Sequence, residues 1–198
     1  MANAPDLQQL LLRLERLEAA VARAAVSLEV ESLAVRDRDG TPRMLLSVED
    51  GAPRLRIADA RMHSRVVLGI EPDGAPFLEL ADGRGVSRAR LATTADGAPG
   101  LRLFGPDGTT SAGLVVLEDG SRRLALFGRN GNPSVTLTQD EDGAIALVLY
   151  DAGGAARATL GLAADGEVGL ALTDGEGRPM LQVPDEAPAA ATAATVRR

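Results

Sequence analysis

The chain contains no cysteine, no tryptophan and no lysine, so every basic residue is an arginine; it has one histidine, one tyrosine and three phenylalanines. The missing cysteine excludes disulfides, thiolate metal sites and cysteine nucleophiles. Without lysine there is no phosphate loop of the Walker kind and no Schiff-base chemistry. His63 stands beside Met62 at a turn, which reads as an exposed turn residue rather than a general base. No Gly-x-Ser-x-Gly elbow occurs. Long apolar runs are absent as well, so no membrane-spanning helix and no cleaved secretory leader is expected, and the sequence leaves the compartment open between the cytoplasm and a virion or other particle. These gaps lead us to expect a protein that is not an enzyme and uses no cofactor and no metal.

What the chain has in abundance is glycine, 22 residues, and acid, 28 Asp and Glu against 21 arginines for a net charge of -7. An acidic balance without a gathered basic patch argues against nucleic acid as a partner. The glycines are ordered. Asp-Gly steps recur every 23 residues, at Asp50-Gly51, Asp73-Gly74, Asp96-Gly97, Asp119-Gly120, Asp142-Gly143 and Asp165-Gly166. A fixed period of this size marks a repeat protein whose units bury apolar surface against their neighbours.

Aligned on those steps, one column holds Leu55/Ile57, Leu78/Leu80, Leu101/Leu103, Leu124/Leu126, Leu147/Leu149 and Leu170/Leu172. A second holds Val66-x-Leu68-x-Ile70, Ala89-x-Leu91, Ala112-x-Leu114-x-Val116 and their successors down to Leu181-x-Val183. Spacing by two predicts strands with one apolar face. Between the columns lies Asp-x-x-Gly or a variant, ending at Gly40, Gly85, Gly108, Gly131, Gly154 and Gly177. Read as two-residue loops, Arg84-Gly85 and its equivalents place Leu80 opposite Ala89, Leu78 opposite Leu91 and Leu126 opposite Val135. Read as a three-residue loop, Pro72-Asp73-Gly74 places Leu68 opposite Leu78 and Val66 opposite Leu80. The fold class expected is all-β: an antiparallel meander of hairpin repeats, roughly a dozen strands, built into an oligomeric prism or fibre shaft. The alternative is a parallel β-solenoid with one 23-residue coil per repeat, a monomeric scaffold that binds a protein or glycan partner.

A sheet of this width with one greasy face needs a cover, and a single wide barrel would enclose a cavity. The N-terminus suggests where the cover comes from. Leu7, Leu14, Val21 and Leu28 alternate with Leu10, Leu17 and Ala24 in a heptad, the seam of a coiled coil, and Leu11 widens the stripe toward more than two helices. Three such heptads are marginal alone and would set register and stoichiometry; the alternative is an amphipathic helix packed on its own sheet. The division expected is an oligomerisation helix over 1–29, a β-repeat domain over 30–183, and a disordered Ala/Pro-rich tail over 184–198. The expected assembly is a homotrimer.

Asp residues in the turns are read as capping their own backbone rather than binding calcium, since no Gly-Gly-x-Gly-x-Asp tract and no complete EF-hand loop is present. On the face opposite the leucines, Arg90 should meet Glu79, and Arg157 should meet Tyr150 as a cation–π pair. Phe104, Phe127 and Tyr150 share one repeat position on that same face. They form the candidate strip for a protein or glycan partner, or else a ladder that packs on the sheet.

A short coiled coil followed by a Gly/Asp-punctuated β-repeat resembles the layout of trimeric phage tail fibres and spikes and of bacterial trimeric adhesin stalks. The resemblance runs from about residue 5 to residue 183 and is one of architecture, with no shared motif and no functional residue to carry over. It implies a structural or adhesive fibre module. With strands across the axis, a dozen of them would make a shaft about 60 Å long.

Overall fold

A computed structural model describes residues 7–24 and 29–184; Leu28, expected in the heptad seam, and residues 185–198 of the expected tail lie outside them, as do the side chains of Leu7 and Ala24. The chain divides into two units, Met1–Leu33 and Ala34–Arg198. In the first, α1 spans Leu7–Ala24. Its seam positions Leu10, Leu14, Leu17 and Val21 are all exposed, as are Leu11 and Leu12.

Fourteen strands follow in chain order, somewhat more than the dozen expected: β1 Ser32–Arg36, β2 Pro42–Glu49, β3 Ala52–Ala58, β4 Ser64–Ile70, β5 Pro76–Ala81, β6 Ser87–Thr93, β7 Pro99–Phe104, β8 Thr110–Val116, β9 Arg122–Phe127, β10 Pro133–Gln139, β11 Ile145–Tyr150, β12 Ala156–Leu162, β13 Val168–Thr173 and β14 Pro179–Val183. Each lies beside its sequence neighbour in one sheet. From β2 to β14 the pairs are antiparallel, so the winding is hairpin by hairpin and the solenoid alternative is set aside.

The register follows the parity of the sequence. Leu68 pairs with Leu78 and Val66 with Leu80; Leu80 pairs with Ala89 and Leu78 with Leu91; Leu126 pairs with Val135. The turn behind the first of these registers is as expected, with Gly74 N–H donating to the Glu71 carbonyl (2.8 Å) and Glu71 N–H to the Ala75 carbonyl (2.9 Å) around Pro72-Asp73-Gly74. Gly74 supplies the positive φ, 90°, that ends a type I turn in a hairpin of this length.

The other turn corrects the expectation of a two-residue loop. Gly85 N–H donates to Asp82 and Asp82 N–H to Val86, both at 2.9 Å, so the loop is again three residues, Gly83-Arg84-Gly85. The pairing then slips by one residue between Leu80 and Ala81, because Ala81 faces Ser87 while Leu80 faces Ala89. A three-residue loop followed by a one-residue bulge gives the same offset as a two-residue loop, which is why the leucines still meet. The same slip recurs in six hairpins and leaves Arg65, Arg88, Ser111, Ser134, Arg157 and Met180 unpaired in the ladder. The first Asp-Gly step also departs from the rule. Glu49 faces Ala52 across Asp50-Gly51 alone, with both residues at positive φ, 51° and 80°, and this shorter loop makes the spacing from Gly40 to Gly51 one residue less than that from Gly85 to Gly97.

Burial is distributed opposite to hydrophobicity. On one face, fifteen leucines of β2–β14 keep between 36 % (Leu101) and 52 % (Leu91) of their surface accessible. The opposite face carries the core: Val148 at 1 %, with Phe77, Ala125, Ala146 and Thr136 also buried. Small side chains lie close to the backbone plane where their neighbours cover them, whereas a leucine without a facing layer stands in water.

Candidate binding face

The core face is built of two rows. One runs through Arg54, Gly69, Phe77, Ala92, Gly100, Val115 and Arg123; the other through Arg56, Val67, Glu79, Arg90, Arg102, Gly113 and Ala125. Its first third is an ionic network. Arg90 donates to Glu71 at 2.6 Å and to Glu79 at 3.4 Å, Arg54 reaches Glu71 at 3.3 Å, and Arg56 reaches Glu49 at 2.7 Å. The Arg90–Glu79 pair is the one expected from register.

Phe77 lies inside that network, 5 % exposed, with the Arg90 guanidinium carbon 4.3 Å and that of Arg54 5.7 Å from its ring centre. The ring rests over Gly69, where a Cβ would stand 3.1 Å from Phe77 Cε1, 3.1 Å from Arg54 Cγ and 3.1 Å from the Pro53 carbonyl oxygen. Sequence reasoning passed over this residue because it falls outside the aromatic column. The signal was present in the pairing of Gly69 with Phe77, an empty place beside a ring.

Arg157 does not meet Tyr150. Tyr150 faces Ala156, and Arg157 is the bulged residue, aimed along the sheet edge. Its Nε donates to Asp151 Oδ2 (2.6 Å), and its Nη atoms reach the carbonyls of Asp174 and, at 3.1 Å, Gly175 in the next hairpin. Arg43 does the same between Asp37 (2.7 Å) and the Asp59 carbonyl, and Arg65 between Asp59 (3.5 Å) and the Ala81 carbonyl (2.8 Å). The bulge therefore turns a side chain out of the ladder to bridge successive turns. Where the turn lacks its aspartate, at Gly105 and Gly128, the arginine is also absent, replaced by Ser111 and Ser134. In the second of these, Asn130 Nδ2 takes over and donates to the Ala152 carbonyl at 2.6 Å.

The turn carboxylates are engaged by backbone. Asp151 Oδ1 accepts from Gly153 (2.9 Å) and Ala155 (3.0 Å), Asp82 Oδ1 from Arg84 (2.9 Å) and Val86 (3.2 Å), and Asp119 Oδ1 from Ser121 N–H (2.8 Å) and its hydroxyl (2.6 Å). The Ala155 amide and then the Arg157 guanidinium hold the Asp151 carboxyl below the ordinary carboxylate range. The Ser121 hydroxyl does the same for Asp119, and the Arg84 amide for Asp82. Among the described residues no group of three or more His, Asp or Glu stands together as a metal site. His63 belongs to such a turn too; its backbone N–H donates to Asp59 Oδ1 at 3.1 Å and its Nδ1 lies 3.7 Å from Asp59 Oδ2.

The three aromatic residues expected to form a strip all lie on the core face, each beside a bulge and facing Thr110, Pro133 and Ala156 respectively. Phe104, Phe127 and Tyr150 are half-buried. Their roles separate. The Tyr150 hydroxyl lies 3.2 Å from Thr136 Oγ1 and lines a hollow with Asn130, Asn132 and Pro133. Phe127 instead lines a groove of about 530 Å³ across β6–β9 together with Arg90, Arg102 and Arg123.

No family model matches the chain, and no curated protein matches it. Among solved structures it is similar to the TCP domain of SAS-4 (dCPAP) of Drosophila melanogaster, solved with a proline-rich motif of Ana2 (dSTIL), at 10 % identity over 86 % of this chain and 95 % of that one, with a TM-score of 0.25. The wild-type TCP10 domain of Danio rerio CPAP is similar at 15 % identity over 76 % and 94 % of the two chains, with a TM-score of 0.20. Superpositions this loose carry no functional assignment. Among the described residues no helix is long and apolar enough to cross a membrane.

Proposed function

We propose that this chain is a non-enzymatic structural module that assembles with copies of itself through its leucine face, leaving the opposite face for a protein partner. One observation carries the reading: the fifteen leucines that remain 36–52 % accessible. Together they leave on the order of 1,000 Å² of apolar surface, against a few hundred on an ordinary monomer and about 800 Å² per partner in a stable interface. Burying it in copies of the same chain satisfies every unit at once, because the ladder has the same pattern from end to end.

The arrangement we favour is a trimer. The exposed stripe on α1 is wider than a two-stranded seam, since Leu11 joins Leu10, Leu14 and Leu17. A shaft of this kind would serve as a fibre or adhesive stalk. Replacing Leu91 and Leu137 by glutamate tests the reading, because both side chains stand exposed on the leucine face and neither lines the groove on the core face. Sedimentation should show the multimer breaking into soluble monomers that keep their β circular dichroism. A wild-type chain that already sediments as a monomer at micromolar concentration would refute it.

A further inference from the structure

From the groove on the core face we propose a binding site for an extended acidic segment of a partner polypeptide, with Arg102 and Arg123 taking its carboxylates and Phe127 an apolar side chain. Three observations converge there. The first is charge. Arg90 and Arg102 are direct cross-strand partners, and like charges so placed are destabilising. Arg90 is neutralised by Glu71 and Glu79, whereas Arg102 has no carboxylate within ion-pair distance among the described residues. Arg123 likewise makes no ion pair among the described residues, although Asp119 feels its charge. Two guanidiniums are thus left open in the hollow of a protein whose net charge is -7.

The second observation is the floor. Gly100 and Gly113 lie inside β7 and β8, where glycine costs about 0.5–1 kcal/mol relative to alanine. Nothing in the fold asks for them. Neither has the positive φ of the turn glycines, and an added Cβ would meet only ordinary contacts, 3.5 Å from the Leu114 carbonyl oxygen at Gly100 and 3.7 Å from the Leu101 carbonyl oxygen at Gly113. The equivalent places in the next repeat hold Arg123 and Thr136. A strand glycine without a structural reason marks a place where another backbone comes close.

The third is the lining. Ala92, Val115, Ala125 and Phe127 give the groove apolar lining beside its arginines. A nucleic acid or sulfated glycan would carry its charge densely past Glu71 and Glu79. A polypeptide can match two isolated guanidiniums and place an apolar residue between them. The site does not depend on how the leucine face is covered, so its failure would leave the assembly reading standing.

The test is fluorescence anisotropy on the full chain, with a short fluorescein-labelled peptide of glutamates around one phenylalanine. The same peptide with lysines, a heparin hexasaccharide and an oligothymidylate are the comparisons. Saturable binding of the glutamate peptide alone is expected. Arg102→Gln and Arg123→Gln should each weaken it about tenfold or more, the loss of one charge-assisted contact. Gly113→Thr and Gly100→Ala should weaken it comparably while the melting temperature stays level or rises. No saturable binding, tighter binding of heparin or oligothymidylate, or a Gly113→Thr chain that binds as before would overturn the proposal. So would a fall in its melting temperature, which would make the glycine structural.

Discussion

Replacing Phe77 tests the claim that the sheet keeps its core on the face of small residues. The ring is 5 % exposed and rests on Gly69 between two guanidiniums. Truncating such a ring to alanine costs about 3–5 kcal/mol in a closed core; a single-layer sheet lets water enter the vacated space, so about 3 kcal/mol is expected for Phe77→Ala. Phe77→Leu keeps most of the apolar volume and loses the ring face. With Arg54 and Arg90 each about a quarter exposed at the side chain, the cation–π share is about 0.5–1 kcal/mol per contact, so the two contacts together set the leucine variant at about 1–2 kcal/mol. The assay is urea unfolding followed by far-UV circular dichroism at one fixed protein concentration, because assembly adds its own stability. Amide exchange at Gly69 and Leu78 would show whether the loss is local to these hairpins, as a repeat array allows. If Phe77→Ala costs less than about 1 kcal/mol, a span smaller than most core truncations, the ring is not a core residue and the core has been assigned to the wrong face.

Met62 holds a φ of 67° in the place where other hairpins have glycine; Met62→Gly should raise stability by about 0.5–1 kcal/mol, seen as a higher melting temperature. At the sheet edge, Asp151→Gly and Arg157→Ser should each lower the urea midpoint. The double variant, which copies Gly128 and Ser134, should lose less than the sum, and strict additivity would argue against the bridge. Acid should act on the turns. Asp82, Asp119 and Asp151 have carboxyl pKa values lowered by folding, so their contribution is complete above the unfolded carboxylate value of about 3.9 and is lost as pH falls through the lower folded values. The urea midpoint should therefore hold level near neutrality and drop below about pH 4; a drop already complete near pH 6 would point to other groups.

Much of the sheet was legible because side-chain parity is a strict constraint. A strand displaced by one residue turns Leu68 and Leu78 to opposite faces, so only one register joins the columns. Parity is blind, however, to how the offset is made. The two-residue loop expected at Arg84-Gly85 and the observed three-residue loop with Arg88 bulged bring the same leucines together. The bridge had a trace in the sequence, since Gly105 and Gly128 replace aspartate in the same repeats where Ser111 and Ser134 replace arginine. Reading the arginine column alone missed it.

The placement of the core was harder to foresee. Hydrophobicity assigns the interior to leucine, but in this sheet the leucines stand exposed and what lies low is buried, here Ala125, Thr136, Ala146 and Val148. The aromatic residues were assigned to the correct face by alternation. Their division between two hollows depends on loop residues such as Asn130 and Pro133, which no periodicity describes.

The central claim is that the leucine face is an interface between copies of this chain. Light scattering on this 198-residue chain across a range of concentrations measures it directly. A mass of three chains, held down to micromolar concentration, is the predicted result; a single chain of 20.5 kDa at every concentration would contradict it.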